Sequence, residues 1–212
     1  LNYNKIYSID KEKAISLAKE EDKFIWQSNK INSKKYFNEI SKMLSKGIKE
    51  HSLIDLGSGA GRFIFYSIDK FKKVISVEPS IEGYNFQKNV FKEYPNFEIY
   101  NNYAEDFLNN FKTDDDIVLY ANAVLIHLKN DAVDIILKKI NNLKKGTVII
   151  LDESYTIDGT FNQYWMGYMR PKEYYIKSLD KYALTFFDYY DDDVSIDINH
   201  NIRGAFIGVK IK

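Results

Sequence analysis

The chain contains no cysteine, which removes disulfides, thiolate nucleophiles and thiolate metal sites together. Net charge is missing as well. Thirty basic and 30 acidic side chains balance, so no long-range field draws the protein toward nucleic acid, and no nucleic-acid partner is expected. A membrane span needs about 20 apolar residues, and the longest apolar run here, around 117–128, is shorter and carries Asn122 and His127. No basic-then-apolar leader opens the sequence. Together these absences predict a cytoplasmic protein without membrane insertion. Arginine occurs only at positions 62, 170 and 203, and there are three prolines. What remains, 212 residues with 45% hydrophobic side chains, is enough for a single domain with a sizeable core.

Glycine is concentrated rather than abundant. The stretch Leu53-Ile54-Asp55-Leu56-Gly57-Ser58-Gly59-Ala60-Gly61-Arg62-Phe63 reads as a buried strand, a tight turn and a helix start, because glycine supplies positive φ without steric cost and lets a ligand approach the backbone closely. The dinucleotide fingerprint requires G-x-G-x-x-G. Here the third glycine comes one residue early and Arg62 stands where the last fingerprint glycine belongs. A second strand-like run, Val74 to Val77, ends in Glu78. A carboxylate there accepts well from a ribose diol.

The rest of the chain alternates in the same rhythm. Residues 33–50 read as one helix with Tyr36, Phe37, Ile40, Met43, Leu44 and Ile48 on one face. Strands are expected over 52–57, 73–77, 97–101, 116–121 and 147–152, and helices over 61–70, 80–93, 104–110 and 130–143. Strands that are continuously apolar are buried on both faces, and alternation of this kind means a parallel sheet covered by helices. A helix begins at Pro171. Two last strands, 182–190 and 203–211, form an antiparallel pair. Upstream, residues 1–50 are expected to be a helical appendage or lid, with a helix over 11–19 and Trp26 near the ligand, while 51–212 form the main domain.

These residues resemble the class I S-adenosylmethionine-dependent methyltransferases. The similarity is carried by Asp55 to Gly61, by Glu78, by Tyr103-Ala104-Glu105-Asp106-Phe107-Leu108, by 116–128 as the fourth strand with its loop, and by 143–151 as the turn into the fifth strand. It implies a Rossmann-like α/β three-layer sandwich with a mostly parallel seven-stranded sheet, one strand antiparallel, in the order 3-2-1-4-5-7-6. It also implies the cofactor S-adenosylmethionine, the product S-adenosylhomocysteine, and methyl transfer to an oxygen or nitrogen of a small-molecule acceptor. The implied cofactor-binding residues are Asp55, Gly57, Ser58, Gly59, Gly61, Arg62, Glu78, Pro79, Ala104, Glu105, Asp106 and Asn122, with Glu105 and Asp106 both open as partners of the adenine amine.

Methyl transfer from a sulfonium depends mainly on alignment and desolvation, so a base is needed only when the acceptor must lose a proton. His127, Asp152 and Tyr155 are the catalytic candidates. Local structure competes with catalysis for His127. Asp152 and Glu153 are adjacent and point to opposite faces of a strand, so no metal site is expected. The aromatic stretch 155–175 is the expected acceptor pocket, against the plain reading of a secondary core. Arg170 reads either as a partner for an acidic acceptor or as a solvated helix-start residue. Two rival functions stay open, a nicotinamide-dependent oxidoreductase and a non-catalytic module of the same fold that binds cofactor or a partner.

Overall fold

A computed structural model describes residues 33–156, 162–164, 167–188 and 201–212. The helix expected over 11–19, the Trp26 lid, Phe161, Trp165 and the acidic link at 191–193 lie outside the described residues.

The elements follow in the order α1 (Ser33–Met43), β1 (His51–Leu56), α2 (Arg62–Ser67), β2 (Lys73–Val77), α3 (Ile81–Val90), β3 (Phe97–Tyr100), α4 (Ala104–Asn110) and β4 (Asp116–Asn122). Then come α5 (Asn130–Asn141), β5 (Val148–Thr156), β6 (Asn162–Tyr164), β7 (Gly167–Pro171), α6 (Lys172–Ser178), β8 (Tyr182–Asp188) and β9 (Asn201–Lys210). Short 3-10 turns precede β1 (Ile48–Glu50) and follow β4 (Leu125–His127).

The sheet runs β3-β2-β1-β4-β5, all parallel, then continues through β9, antiparallel to β5, to β8. This is the expected seven-strand order, with β8 and β9 as the sixth and seventh members. A difference lies beside β5. That strand extends to Thr156 because β9 pairs with it from Val148↔Val209 to Thr156↔Asn201. Its last residues pass beyond the end of β4, and there β7 pairs with Tyr155 and Thr156 while forming a hairpin with β6. Pro171 accordingly ends β7 and precedes α6 instead of opening a helix.

Adjacent residues along β1, β2, β4 and β5 feed opposite layers, which is why these strands are largely apolar along their length. Leu53, Val74, Val118, Tyr120 and Ile150 meet Phe37 and Ile40 of α1, Phe63 and Ile64 of α2 and Val90 of α3. Ile54, Ile75, Leu119, Ile149 and Leu151 meet Phe107 of α4, the Val133, Ile136, Leu137 and Ile140 stripe of α5, and Tyr175 of α6. The helix expected over 33–50 ends at Met43. Serine and glycine, both poor helix formers, interrupt it at Ser45 and Gly47, and Ile48 still reaches the core from the 3-10 turn.

Candidate functional site

The carboxyl ends of β1, β2, β4 and β5 face one edge of the sheet, and the loops that leave them carry the polar side chains. After β1 the chain turns through Gly57, Gly59 and Gly61 at φ 63°, 59° and 74°, values that favour glycine. Gly57 and Ser58 both donate their N–H groups to the Val77 carbonyl at 2.8 and 3.2 Å, which locks the turn to β2. Space is equally demanding. A Cβ on Gly57 falls 2.6 Å from Val124 Cγ2, and one on Gly61 falls 2.8 Å from Phe91 Cε2.

At the end of β2, Glu78 is 6% exposed. Its Oε2 accepts from the Gly59 N–H at 2.7 Å and its Oε1 from the Ser80 N–H at 2.9 Å. Burial raises its pKa, and these two donors act the other way. Asp55, near the end of β1 and 2% exposed, is pushed well above the usual carboxylate range by burial and then by the charge of Glu78. Two desolvated carboxylates thus flank the glycine turn. The backbone around Glu78 is fixed from β3: Asn101 donates to the carbonyls of Glu78 and Pro79 at 2.9 and 3.0 Å, and the Glu78 N–H donates to Tyr100 O.

Beyond Glu78, the side chains of Ile81, Tyr100 and Tyr103 are exposed, an apolar rim at the ends of β2 and β3. Along α4, Ala104 is buried, Glu105 half-buried and Asp106 exposed. Arg62 is half-buried and Pro79 exposed.

After β4 the chain makes a second turn. Asn122 donates from Nδ2 to the buried Asp152 carboxylate, its registered neighbour on β5, and the Ala123 N–H donates to Asp152 O at 2.8 Å. Glu153 faces away from Asp152. It accepts from the N–H groups of Val124, Leu125 and Ile126 at 3.0, 2.9 and 3.3 Å, and complete burial pushes its pKa up to about 7 despite those donors. The other end of the turn meets Arg170. Nη1 donates to Leu125 O and Tyr168 O at 2.8 and 3.0 Å, Nη2 to Leu128 O, and Nε to Asn130 Oδ1 at 2.9 Å. His127, carried on this turn, is exposed.

Several expectations therefore change. Tyr155 is fully buried: its hydroxyl donates to Leu151 O, and its ring packs edge-on against Tyr175, Phe186 and Phe206. It belongs to the core because β5 is longer than 147–152. Tyr175 is buried in the same aromatic cluster, so the two ends of the stretch 155–175 are core. Arg170 is neither solvated nor turned to the crevice, and it is fully buried. Among the described residues no three His, Asp or Glu side chains gather to hold a metal ion. The sequence reading missed Gln87, Ser76 and the Glu153–Arg170 clamp. For Gln87 a signal existed, since it lies with Gly83 and Val90 on the buried face of α3, where an amide demands partners.

Neither a protein-family model nor a curated protein sequence matches the chain. Solved structures do. A Burkholderia thailandensis 1,6-didemethyltoxoflavin-N1-methyltransferase, with bound 1,6-didemethyltoxoflavin and S-adenosylhomocysteine, aligns at TM-score 0.66 and 13% identity, covering 99% of this chain and 89% of its own. Streptomyces coelicolor geranyl diphosphate C-methyltransferase, in complex with Mg2+, geranyl diphosphate and S-adenosyl-L-homocysteine, aligns at TM-score 0.62 and 11% identity over 84% and 77% of the two chains. The N-methyltransferase NodS of Bradyrhizobium japonicum, with S-adenosyl-l-homocysteine, gives TM-score 0.62 and 10% identity over 92% and 98%. The protein has the Rossmann-like fold of the class I S-adenosylmethionine-dependent methyltransferases.

Proposed function

We propose that the protein is an S-adenosylmethionine-dependent methyltransferase acting on an oxygen or nitrogen of a small-molecule acceptor. The observation that carries this reading is the buried Glu78 carboxylate hydrogen-bonded to the glycine turn. A dinucleotide turn needs a glycine where Arg62 stands. Glu78 retains lone pairs for a ribose diol and, when ionised, attracts a cation. The residues present therefore fit S-adenosylmethionine, which is cationic and carries an unsubstituted diol.

When bound, the cofactor supplies a methyl group activated by sulfonium. The chain's part is to hold and align. Gly57, Ser58, Gly59 and Gly61 offer a close-approach floor, with Arg62 and Pro79 at its margins. Glu78 accepts from the ribose, Ala104, Glu105 and Asp106 flank the adenine side, and Asn122 closes the β4 side. Glu105 is the better placed acid for the adenine, being half-buried where Asp106 is exposed. Asp152, tied to Asn122, and exposed His127 are the groups available to take an acceptor proton.

Calorimetric titration with S-adenosylmethionine, S-adenosylhomocysteine and NAD tests the cofactor. Saturable binding of the first two alone is expected, whereas binding of NAD alone, or of none, overturns the assignment. Incubation of a fractionated cell extract with methyl-labelled cofactor tests the acceptor class. Label is expected in the small-molecule fraction, and label confined to protein or nucleic acid overturns that part. With a purified acceptor, full turnover by His127→Ala removes the histidine as base.

A further inference from the structure

The underside of the glycine turn is held by a closed ring of neutral hydrogen bonds. Gln87 is fully buried, and its Nε2 donates to Gly59 O and to Ser58 Oγ, both at 2.8 Å. A carbonyl only accepts, so the amide atom against Gly59 is the nitrogen and Oε1 faces β2. There Ser76 Oγ donates to Oε1 at 2.7 Å. The Ser76 hydrogen is thereby committed, and the 2.6 Å contact between Ser58 Oγ and Ser76 Oγ has Ser58 as its donor. Each hydroxyl accepts once and donates once around the ring.

The ring leaves one polar group of the turn to a single orientation. The Gly59 residue is gripped at its carbonyl by Gln87 and at its N–H by Glu78 Oε2 at 2.7 Å. Gln87 also stands under Gly61, whose missing Cβ would lie 3.1 Å from Oε1. Ser76 is itself fully buried behind the turn, out of reach of any ligand above it.

We infer that Gln87 and Ser76 are positioning residues for the cofactor: their ring with Ser58 fixes the backbone on both sides of Gly59 and, through the Gly59 N–H, the Glu78 carboxylate in the orientation that receives the ribose. The inference rests on the cofactor reading above. A preformed turn binds without first spending free energy on ordering, and an unpinned one must be ordered by the ligand.

The test is S-adenosylhomocysteine affinity by calorimetry for wild type, Q87L, Q87E and S76A, with thermal midpoints measured on ligand-free protein. Q87L is expected to weaken binding at least tenfold and S76A about threefold, while the ligand-free midpoints show each variant folded. Q87E keeps the shape but sets a carboxylate oxygen against Gly59 O. It is expected to bind at least tenfold more weakly at pH 8 and to recover toward wild type as pH falls, because a protonated carboxyl donates again. A purely structural glutamine would not produce that recovery in the ratio of Q87E to wild-type affinity. Binding by wild type with unchanged affinity in S76A and Q87E overturns this inference alone. Absence of binding by wild type overturns the cofactor reading, and this inference with it.

Discussion

The two turns that leave β1 and β4 do the same geometric job by opposite means. Each carries the chain off the carboxyl edge of the sheet through residues at positive φ. The first uses three glycines held from below by a neutral ring of Gln87, Ser58 and Ser76, with the buried Glu78 carboxylate accepting the Gly59 N–H. The second uses Ala123 at φ 53° and is clamped between two buried ionisable side chains, Glu153 and Arg170. Glu153 receives the N–H groups at its start, and Arg170 serves the carbonyls at its end, the polarity that suits the dipole of a helical turn. The lesson is a division of labour. On the proposed function the first turn keeps lone pairs of Glu78 for a ligand while the ring beneath it is closed, and the second turn uses both of its ionisable side chains to hold its own backbone.

That contrast breaks most severely at Arg170. Replacing it by Met removes the guanidinium donor from the carbonyls of Leu125, Leu128 and Tyr168, and loss of one member of a buried polar cluster costs about 3–5 kcal/mol. Urea unfolding of Arg170→Met should show a loss of this size. An unchanged midpoint would mean the clamp adds nothing.

Glu153 gives the next largest effect, and it depends on pH. Its folded pKa of about 7 stands above its ordinary value of 4.5, so the native state holds a proton that the unfolded chain releases. The associated stability is fully present below about pH 4.5 and is lost as pH rises through about 7, a swing of about 3 kcal/mol. Subtracting the pH–stability curve of Glu153→Gln from that of wild type isolates this swing. A flat difference across this window would refute the assignment.

On the other turn, change should appear in binding instead of stability. Glu78→Gln replaces a charged acceptor by a neutral one, and hydrogen bonds to charged groups contribute about 1.5–3 kcal/mol, so S-adenosylhomocysteine affinity should fall about 10- to 100-fold with a small shift in the unfolding midpoint. In wild type the raised pKa of Glu78 has a linked consequence. Donors from a bound diol favour the charged carboxylate, so affinity is greatest above that pKa and declines as pH drops through it, beginning at a higher pH than an ordinary glutamate would give. Equal affinity of Glu78→Gln and wild type at neutral pH would take Glu78 out of the site.

The same division explains what could be read from the sequence. Gly57, Gly59 and Gly61 announce their turn because few other residues adopt those dihedrals, and the apolar runs of β1, β2 and β4 announce a sheet buried on both faces. The strand order followed from resemblance, and the β6–β7 hairpin did not, because it depends on how far β5 outruns β4. Glu153 and Arg170 meet the second turn from β5 and β7. Nothing local at 123–128 signals their arrival, and a buried arginine reads from sequence like any surface arginine. Gln87 was legible only as an amide on a buried helix face, without its partners.

The smallest effect sharpens the comparison most directly. Ala123 occupies the left-handed region that the first turn reserves for glycine, and a side chain there costs about 1–2 kcal/mol. Glycine would relieve this strain but would add freedom to the unfolded chain, a cost of about 0.4–1 kcal/mol. Ala123→Gly should therefore stabilise the protein by about 0.5–1 kcal/mol, read as a modest rise in the urea midpoint at constant m-value. The reverse change on the first turn, Gly61→Ala, should destabilise, because its Cβ would press on Phe91 at 2.8 Å and Gln87 at 3.1 Å. If Ala123→Gly were neutral or destabilising, the buried clamp would be drawing support from the alanine methyl, and the second turn would owe its geometry to packing as well as to its charges.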